Sequence, residues 1–177
     1  MNMKHRKVDL IKDNEIILKF HCEINYECEN KETRNTSFQS YYNKWISIKS
    51  QTNEFLGNFK QSLCDARTLA DIIEDDDSNI IAYIWVKFID VKGYEIVIAE
   101  IEDLYVAKEF RGRGISVYLM QYIEKWAFEK KADILRSGTG ASNHKSIKMH
   151  ENFGFKPYRI EFEKIISKNK KDDTNVC

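Results

Sequence analysis

A short segment near the middle of the chain has the composition of an anion-binding loop. Residues 111–116 read Arg-Gly-Arg-Gly-Ile-Ser and join an apolar run to a segment with helical periodicity. Glycine lets backbone amides approach a ligand closely, and the start of a helix presents unpaired N–H groups with a partial positive charge. The two arginines add full charges beside them. The segment therefore predicts a site for a pyrophosphate or a similar anion.

Two common phosphate-binding loops do not fit these residues. A P-loop needs a final glycine followed by lysine and then serine or threonine, and no such lysine is present in this segment. A dinucleotide-binding fingerprint needs a small residue at its third position, where Val117 would obstruct close packing. A tight turn with solvated arginines is the remaining alternative for the segment considered by itself.

A strand-like run just before the loop carries several carboxylates. Glu95, Glu100, Glu102 and Asp103 lie within or beside a stretch otherwise rich in isoleucine, valine, alanine and leucine. Residues two apart on a strand share a face, so Glu100 and Glu102 are expected to point together unless a bulge intervenes. Burying a carboxylate without a partner is costly. This placement favours a chemical role, although ordinary exposed strand carboxylates would fit the same pattern.

Polar residues recur on one face of a short helix-like segment after the loop. Asn143 and His150 are seven residues apart, nearly two full turns, with Ser146 on the same face and Met149 at its edge. The pKa of histidine lies near neutrality, so the imidazolium can donate a proton. A histidine packed and hydrogen-bonded on an apolar face is the alternative.

The periodicity elsewhere predicts the elements that position these groups. Phe55, Phe59 and Leu63 recur at helical spacing, whereas residues 80–86 are β-branched and aromatic, as in a buried strand. The predicted helices are Asn14–Cys28, Ser37–Ile48, Gln51–Leu63, Ile115 to about Lys130, and a short one that Ser142 or Asn143 caps and that ends at Gly154. The predicted strands are Val8–Lys12, Thr68–Glu74, Asn79–Phe88, Glu95–Val106, Ala132–Arg136 and Phe155–Ile166.

Three blocks of the sequence, taken in order, resemble one known family. Arg111-x-x-Gly114-x-Ser116 resembles the R/Q-x-x-G-x-G/A motif of the GNAT superfamily of N-acetyltransferases, which holds the pyrophosphate of acetyl-coenzyme A. Residues 102–106 resemble the fourth strand of that family, and residues 143–155 resemble its last conserved helix and turn. The resemblance covers roughly residues 79–166. Ser116 departs from the usual final Gly or Ala, and His150 stands where many members have a tyrosine.

The resemblance implies an α/β (α+β) fold, with a mixed, mostly antiparallel central sheet flanked by helices. It implies one domain over residues 1–166, in which residues 1–70 shape the acceptor side and residues 79–166 form the acetyl-CoA-binding core; residues 167–177 are a polar tail, expected to be disordered. Acetyl-CoA is the implied co-substrate, and no metal is expected. The residues implied to hold acetyl-CoA are Leu104, Tyr105, Val106, Arg111, Gly112, Arg113, Gly114, Ile115, Ser116, Asn143 and Ser146.

Catalytic roles follow from the resemblance and from the demands of direct acetyl transfer in a ternary complex. A lysine-like amine has a pKa of about 10.4, so presenting it uncharged at neutral pH costs about 4.6 kcal/mol. In different family members a general base stands at the position of Glu102 or of Glu100. We expect Glu102 to be the base and Glu100 to be the second candidate. Asp103 is a candidate amine-binding group, and His150 would protonate the departing thiolate in place of the tyrosine.

Composition limits the partners of the chain. Lys plus Arg and Asp plus Glu number 28 each, and this balance argues against a nucleic-acid or anionic-membrane binder. No apolar stretch approaches the ~20 residues that cross a bilayer, and no signal-peptide core is visible, so a cytoplasmic location is expected. The expected acceptor is a small cationic amine, with a peptide N-terminus or a protein lysine as the alternative. The chain is expected to be a monomer or a homodimer. The alternative function is a non-catalytic CoA-binding module that acts as a sensor or interaction partner.

Overall fold

Five strands form one sheet in which the spatial order follows the chain. The computed structural model describes residues 2–29 and 35–164. Strands β1 (Lys4–Lys7), β2 (Leu69–Glu74), β3 (Ile80–Val91) and β4 (Ile96–Val106) are antiparallel neighbours, and β5 (Ile134–Ser137) is parallel to β4. The predicted mixed, mostly antiparallel sheet is therefore confirmed.

Five α-helices accompany the sheet within the described residues. They are α1 (Asn14–Cys28), α2 (Phe38–Ser47), α3 (Lys49–Ser62), α4 (Ile115–Glu129) and α5 (His144–Asn152). The bounds of α1 agree with the prediction, and those of the others differ from it by one or two residues. Asn143, rather than Ser142, caps α5: its side chain accepts a hydrogen bond from the Ser146 amide. No described helix is both long and apolar enough to cross a membrane.

Helices cover both faces of the sheet because its strands alternate apolar side chains between two cores. On β3, Tyr83 and Trp85 point to the face packed by α1 and α3, and Ile84 and Val86 point to the face packed by α4. All four side chains are at most 3% exposed. The sheet is thus a rigid layer from which site residues can project in two directions.

The prediction of a first strand at Val8–Lys12 is wrong. The strand lies just before it, at Lys4–Lys7, and the predicted residues form a turn in which the Asp13 amide donates to the Asp9 carbonyl at 2.7 Å. The basic strand is stabilised by acidic residues of β2, because Arg6 pairs with Glu74 and Lys7 pairs with Asp71. Pairs of opposite charge between β1 and β2, rather than an apolar pattern within β1, therefore stabilise this strand.

The prediction of a last strand at Phe155–Ile166 is also wrong for residues 155–164, which contain no strand; residues 165 and 166 lie outside the described part of the chain. The side chains alternate as a strand would require, but β5 pairs only with β4 and no second strand flanks it among the described residues. Tyr158, Ile160 and Phe162 are accordingly exposed. The predicted disordered tail, residues 167–177, lies outside the described residues.

A buried carboxylate ties β2 to β1 and α4. Asp71 is 2% exposed and accepts hydrogen bonds from Lys7 Nζ at 2.8 Å, Tyr122 Oη at 3.2 Å and His5 Nδ1 at 3.3 Å. Burial by itself would raise the pKa of this carboxyl, but the three hydrogen bonds and the charge of Lys7 outweigh it and lower the pKa below the ordinary 3.8. Folding therefore favours the ionised form of Asp71 over the protonated form.

This shift predicts a pH dependence of stability. A carboxyl whose pKa is lower in the folded chain stabilises it above the unfolded-state value of 3.8, and that stabilisation is lost as the pH falls through the folded value. Asp71→Asn should therefore lose less stability than the wild type between pH 5 and pH 3, as measured by urea unfolding midpoints. Asp77→Asn, at an exposed turn, is the control; equal acid dependence in Asp71→Asn and the wild type would contradict the prediction.

Candidate active site

A cavity of about 270 Å³ opens where β4 and β5 separate. The two strands pair only from Ile98 to Ile101 on β4, so the following residues of β4 have no partner on β5. We call this space the loop cavity. The predicted site residues that line it are Glu102, Leu104, Tyr105, Val106, Arg111, Gly112, Ile115, Ser116, Asn143, Ser146 and His150. Most of the residues assigned from the motifs therefore meet around one space.

The glycine-rich loop forms one end of the loop cavity. Gly112 and Gly114 have φ angles of +77° and +78°, a conformation that residues with a Cβ rarely adopt. Gly114 is also the N-cap of α4, and no side chain caps this end of the helix. The amides of the first turn are thus free of a side-chain cap at the positive end of the α4 dipole, where an anion would be stabilised.

The two arginines of the loop point to different places. Arg111 lines the loop cavity; its Nε donates to the Val106 carbonyl at 2.9 Å and its Nη1 donates to Glu27 Oε1 at 2.8 Å. Arg113 does not line the cavity, because its guanidinium folds back to the Glu109 carbonyl at 3.0 Å. Gly114 also lies outside the lining residues. Arg111 is therefore the arginine that can contact a ligand here.

The C-terminal end of α1 closes one side of the loop cavity. Ile24, Glu27 and Cys28 contribute to its wall. The backbone of Gly140 approaches the Cys28 backbone so closely that a Cβ at this position would overlap the Cys28 carbonyl oxygen. Glycine at position 140 is therefore a requirement of this contact. No sequence motif included α1 in the site.

Helix α5 supplies polar groups to the lining of the loop cavity. His150 Nδ1 lies 2.7 Å from the Ser146 carbonyl, which only accepts, so Nδ1 carries the proton. In the neutral imidazole Nε2 then accepts from the Ser137 hydroxyl at 2.8 Å. On protonation Nε2 becomes a donor at the wall of the loop cavity. Asn143, Ser146 and His150 share the helix face that the sequence predicted.

A second cavity, of about 660 Å³, lies beside the first and is bounded mainly by α3. We call it the helix cavity. Its aromatic lining consists of Trp45, Phe55, Trp85 and Phe88 together with the imidazole of His21. Its charged lining consists of Glu54, Asp65, Glu102 and Lys87, so carboxylates outnumber amines three to one.

Glu102 is the one described residue that lines both cavities. It is the extra residue of a β-bulge: Trp85 of β3 faces Asp103, and the next residue, Val86, faces Ile101. Burial raises the pKa of the Glu102 carboxyl, and the opposing effect of Lys87 does not cancel it. A carboxylate with a raised pKa at the junction of two cavities has the properties of a general base.

Lys87 connects the two glutamates of β4. Its ammonium forms an ion pair with Glu102 and lies 3.4 Å from Glu100 Oε2. Burial lowers the pKa of this ammonium, but the two glutamates outweigh burial and raise it. Glu100 lines neither cavity, so its contact with the site runs through Lys87.

Asp103 lies away from both cavities and is only 1% exposed. Its carboxylate contacts His21 Nδ1 at 3.0 and 3.2 Å, and it is His21 that lines the helix cavity. The interpretation of Asp103 as a direct amine-binding group therefore does not fit its position. His21 is the residue that sequence reasoning missed; its signal was a lone histidine on the otherwise apolar face of a helix.

Comparison with known proteins identifies the family. The family model described as "Acetyltransferase (GNAT) family" matches residues 26–155. The chain belongs to the GNAT acetyltransferase family. The match also includes much of the N-terminal helical region, which the three motif blocks did not reach. No curated protein sequence is significantly similar to this GNAT chain.

Solved structures share the GNAT fold over nearly the whole chain. A proposed acetyl transferase from Pyrococcus furiosus has a TM-score of 0.66 at 24% identity and covers 93% of this chain and 100% of its own. An aminoglycoside antibiotic 6'-N-acetyltransferase from Acinetobacter baumannii has a TM-score of 0.59 at 20% identity, covering 94% and 100%. AAC(6')-Iy, in complex with a CoA bisubstrate analogue, has a TM-score of 0.57 at 17% identity, covering 94% and 100%. At these identities the similarity establishes the fold alone.

No cluster of three or more histidine, cysteine or acidic side chains suited to a metal ion occurs within residues 2–29 and 35–164. Cys22, Cys28 and Cys64 are free thiols in this part of the chain.

Proposed function

We propose that the chain is an N-acetyltransferase that moves the acetyl group of acetyl-CoA directly to a primary amine of a small cationic molecule. The observation that carries this proposal is the position of Glu102 between the two cavities. The loop cavity would hold the donor and the helix cavity the acceptor, so that amine and thioester meet beside this carboxylate.

The loop cavity has the donors that acetyl-CoA needs. The amides at the start of α4 and the Arg111 guanidinium suit a pyrophosphate, and the Glu27–Arg111 contact can be exchanged for a phosphate contact. The stretch of β4 over Leu104–Val106, which pairs with β3 but has no partner on β5, would bind the pantetheine arm and stabilise the oxyanion through backbone amides, as in the family. Asn143 and Ser146 would contact the same arm from α5.

The transfer needs two proton-handling groups. The amine nitrogen attacks the thioester carbonyl carbon, the C–S bond breaks, and the sulfur leaves as a thiolate that takes up a proton. Glu102 accepts a proton from the attacking nitrogen. His150, as imidazolium, donates from Nε2 to the thiolate after the Ser137 hydroxyl has turned away. This role replaces the tyrosine that many GNAT members have.

The helix cavity favours a cationic acceptor. Glu54, Asp65 and Glu102 give it a negative balance against Lys87, and aromatic faces attract cations as well. Two neighbours with the same fold are an aminoglycoside 6'-N-acetyltransferase and a complex that contains CoA linked to an acetylneamine derivative. The cavity volume of about 660 Å³ is consistent with an amine on a polar scaffold such as that of the neamine derivative.

CoA release with a panel of amines tests the proposal. The purified chain is mixed with acetyl-CoA and spermidine, neamine, glucosamine or a lysine-containing peptide, and free thiol is followed with time. At least one small polyamine or amino sugar should support turnover above the amine-free rate. Binding of acetyl-CoA without turnover for any amine would overturn the proposal and favour a CoA-binding module instead.

Gly114→Ala should weaken acetyl-CoA binding. A Cβ at a φ of +78° costs about 1–2 kcal/mol, and relief of this strain would displace the first amides of α4 from the anion site. We expect a lower melting temperature and a higher Kd for acetyl-CoA, measured by calorimetry.

Gly57→Ala is the matched control for this change. Gly57 lies in α3 with open space around its Cα, so alanine should stabilise the helix by about 0.5–1 kcal/mol and leave the Kd unchanged. A Gly114→Ala variant that binds acetyl-CoA as tightly as Gly57→Ala would contradict the anion-site assignment.

A further inference from the structure

His21 lies outside every sequence motif, and its side chain pairs with Asp103 of β4. The Asp103 carboxylate is almost completely buried, and an unpaired buried charge is strongly unfavourable. The carboxylate contacts the imidazole of His21, and the hydroxyl of Tyr83 is buried beside it. The pair therefore has a specific geometry, in which a carboxylate fixes a histidine at the cavity wall.

The hydrogen bonds of His21 define which nitrogen can accept a proton. The Asn25 amide nitrogen lies 2.9 Å from Nε2 and can only donate, so Nε2 accepts and Nδ1 carries the hydrogen that Asp103 receives. A carboxylate on Nδ1 holds the imidazole in this tautomer and stabilises the imidazolium that forms when Nε2 is protonated. An ammonium is a stronger donor than an amide and can replace Asn25 at Nε2.

The surroundings of His21 are those of an acceptor site for a cation. Its side chain is 20% exposed and its ring lies against Phe55, with centroids 4.1 Å apart, and edge-on to Trp45. The ionisable groups around it are Asp103 and Glu102 from β4, Lys87 from β3, Glu54 from α3, Asp65 from the segment after α3, and the neighbouring Cys22 thiol. Carboxylates outnumber the single lysine in this set.

Acetylation removes two protons from an ammonium nitrogen, because an ammonium has three N–H bonds and a secondary amide has one. The thiol of CoA accounts for one proton, and the other is released. Several proton acceptors line the helix cavity, His21 and Glu102 among them, but only Glu102 also reaches the loop cavity. The proton lost before attack and the proton lost during attack can therefore go to different groups.

We propose that His21 takes the proton that the ammonium loses before attack, whereas Glu102 takes the proton lost as the C–N bond forms. In the first step an N–H bond breaks, its electron pair stays on nitrogen, and the proton binds Nε2 of His21. The imidazolium then gives the proton to water. Asp103 is a positioning residue in this scheme. The inference rests on the proposed function and specifies which residue handles each proton.

The pH dependence of two variants tests the assignment. With the best amine of the panel, His21→Gln should lower kcat/KM at pH 7 by at least about tenfold. The deficit should shrink to about twofold or less near pH 10, where about 30% of a lysine-like amine is already neutral without help. Asp103→Asn should show the same trend with a smaller amplitude. Glu102→Gln should remain impaired at both pH values.

His5→Gln is the matched control, since His5 also contacts a buried aspartate, Asp71, but lines neither cavity. It should keep the wild-type kcat/KM at both pH values. Calorimetric titration with acetyl-CoA shows whether each variant is folded. If His21→Gln does not fold, Asp103→Asn and the rescue of His21→Ala by added imidazole test the same assignment.

The outcomes separate this inference from the proposed function. Suppose that the wild-type chain turns over an amine. If His21→Gln then has the wild-type kcat/KM at pH 7, or if its deficit persists at pH 10, the role of His21 is overturned and the proposed function is not. A wild-type chain that binds acetyl-CoA but acetylates no amine overturns the proposed function, and this inference with it.

Discussion

Replacing Glu102 with glutamine is expected to lower kcat about 100- to 1,000-fold, while the Kd for acetyl-CoA changes little. Glutamine keeps the size of the side chain and the bulge of β4, but it cannot accept a proton from the attacking nitrogen. The donor contacts of the loop cavity lie elsewhere, at Arg111 and the start of α4. Steady-state CoA release gives kcat, and calorimetric titration gives the Kd.

Two further variants make this result specific. Glu95→Gln changes an exposed carboxylate just before β4 and should leave kcat unchanged. Glu100→Gln removes the other carboxylate beside Lys87, so a larger loss there than in Glu102→Gln would identify Glu100 as the base. If both variants retain wild-type kcat, neither glutamate accepts the proton, and the mechanism proposed for this chain fails.

Replacing Phe59 with alanine is expected to lower the free energy of unfolding by about 3–5 kcal/mol. Phe59 is fully buried and packs between α3 and the sheet, with its ring centroid 4.8 Å from that of Trp85 and 6.4 Å from that of Tyr83. Alanine would leave a cavity beneath the helix that bounds the acceptor side. Urea unfolding followed by tryptophan fluorescence measures the change.

Phe162→Ala is the control for this truncation. Phe162 is 93% exposed, so its replacement should change the free energy of unfolding by less than about 0.5 kcal/mol. A loss below about 1 kcal/mol for Phe59→Ala would mean that α3 does not dock on the sheet through this ring. The helix cavity would then not be bounded by α3 in this position.

Most elements of this fold could be predicted because their patterns are local. The bounds of α1 follow from its apolar spacing, and β2, β3 and β4 follow from β-branched runs between turns. The two wrong strands depended on partners far along the chain. Residues 4–7 form a strand because acidic residues of β2 neutralise them, and residues 155–164 alternate correctly but pair with no strand of the sheet.

The features of the candidate site also divide into those with a local sequence pattern and those that depend on distant contacts. The loop at residues 111–116 was predictable because glycine, charge and the start of a helix occur together within six residues. The bulge at Glu102 depends on the register between two strands, which a single strand's sequence does not contain. The contact between His21 and Asp103 joins residues 82 apart in sequence, so it results from tertiary packing alone.

Helix α1 contributes to both cavities, whereas α3 contributes to only one. His21 lines the helix cavity, and one to two turns later Ile24, Glu27 and Cys28 line the loop cavity. Under the proposed function, mutations on α1 that adapt the chain to a new acceptor therefore risk a loss of donor affinity. Mutations on α3, at positions such as Gln51, Glu54 and Asn58, avoid that conflict. In evolution or in directed selection, the lining of the helix cavity can diversify on α3 while the loop cavity is retained.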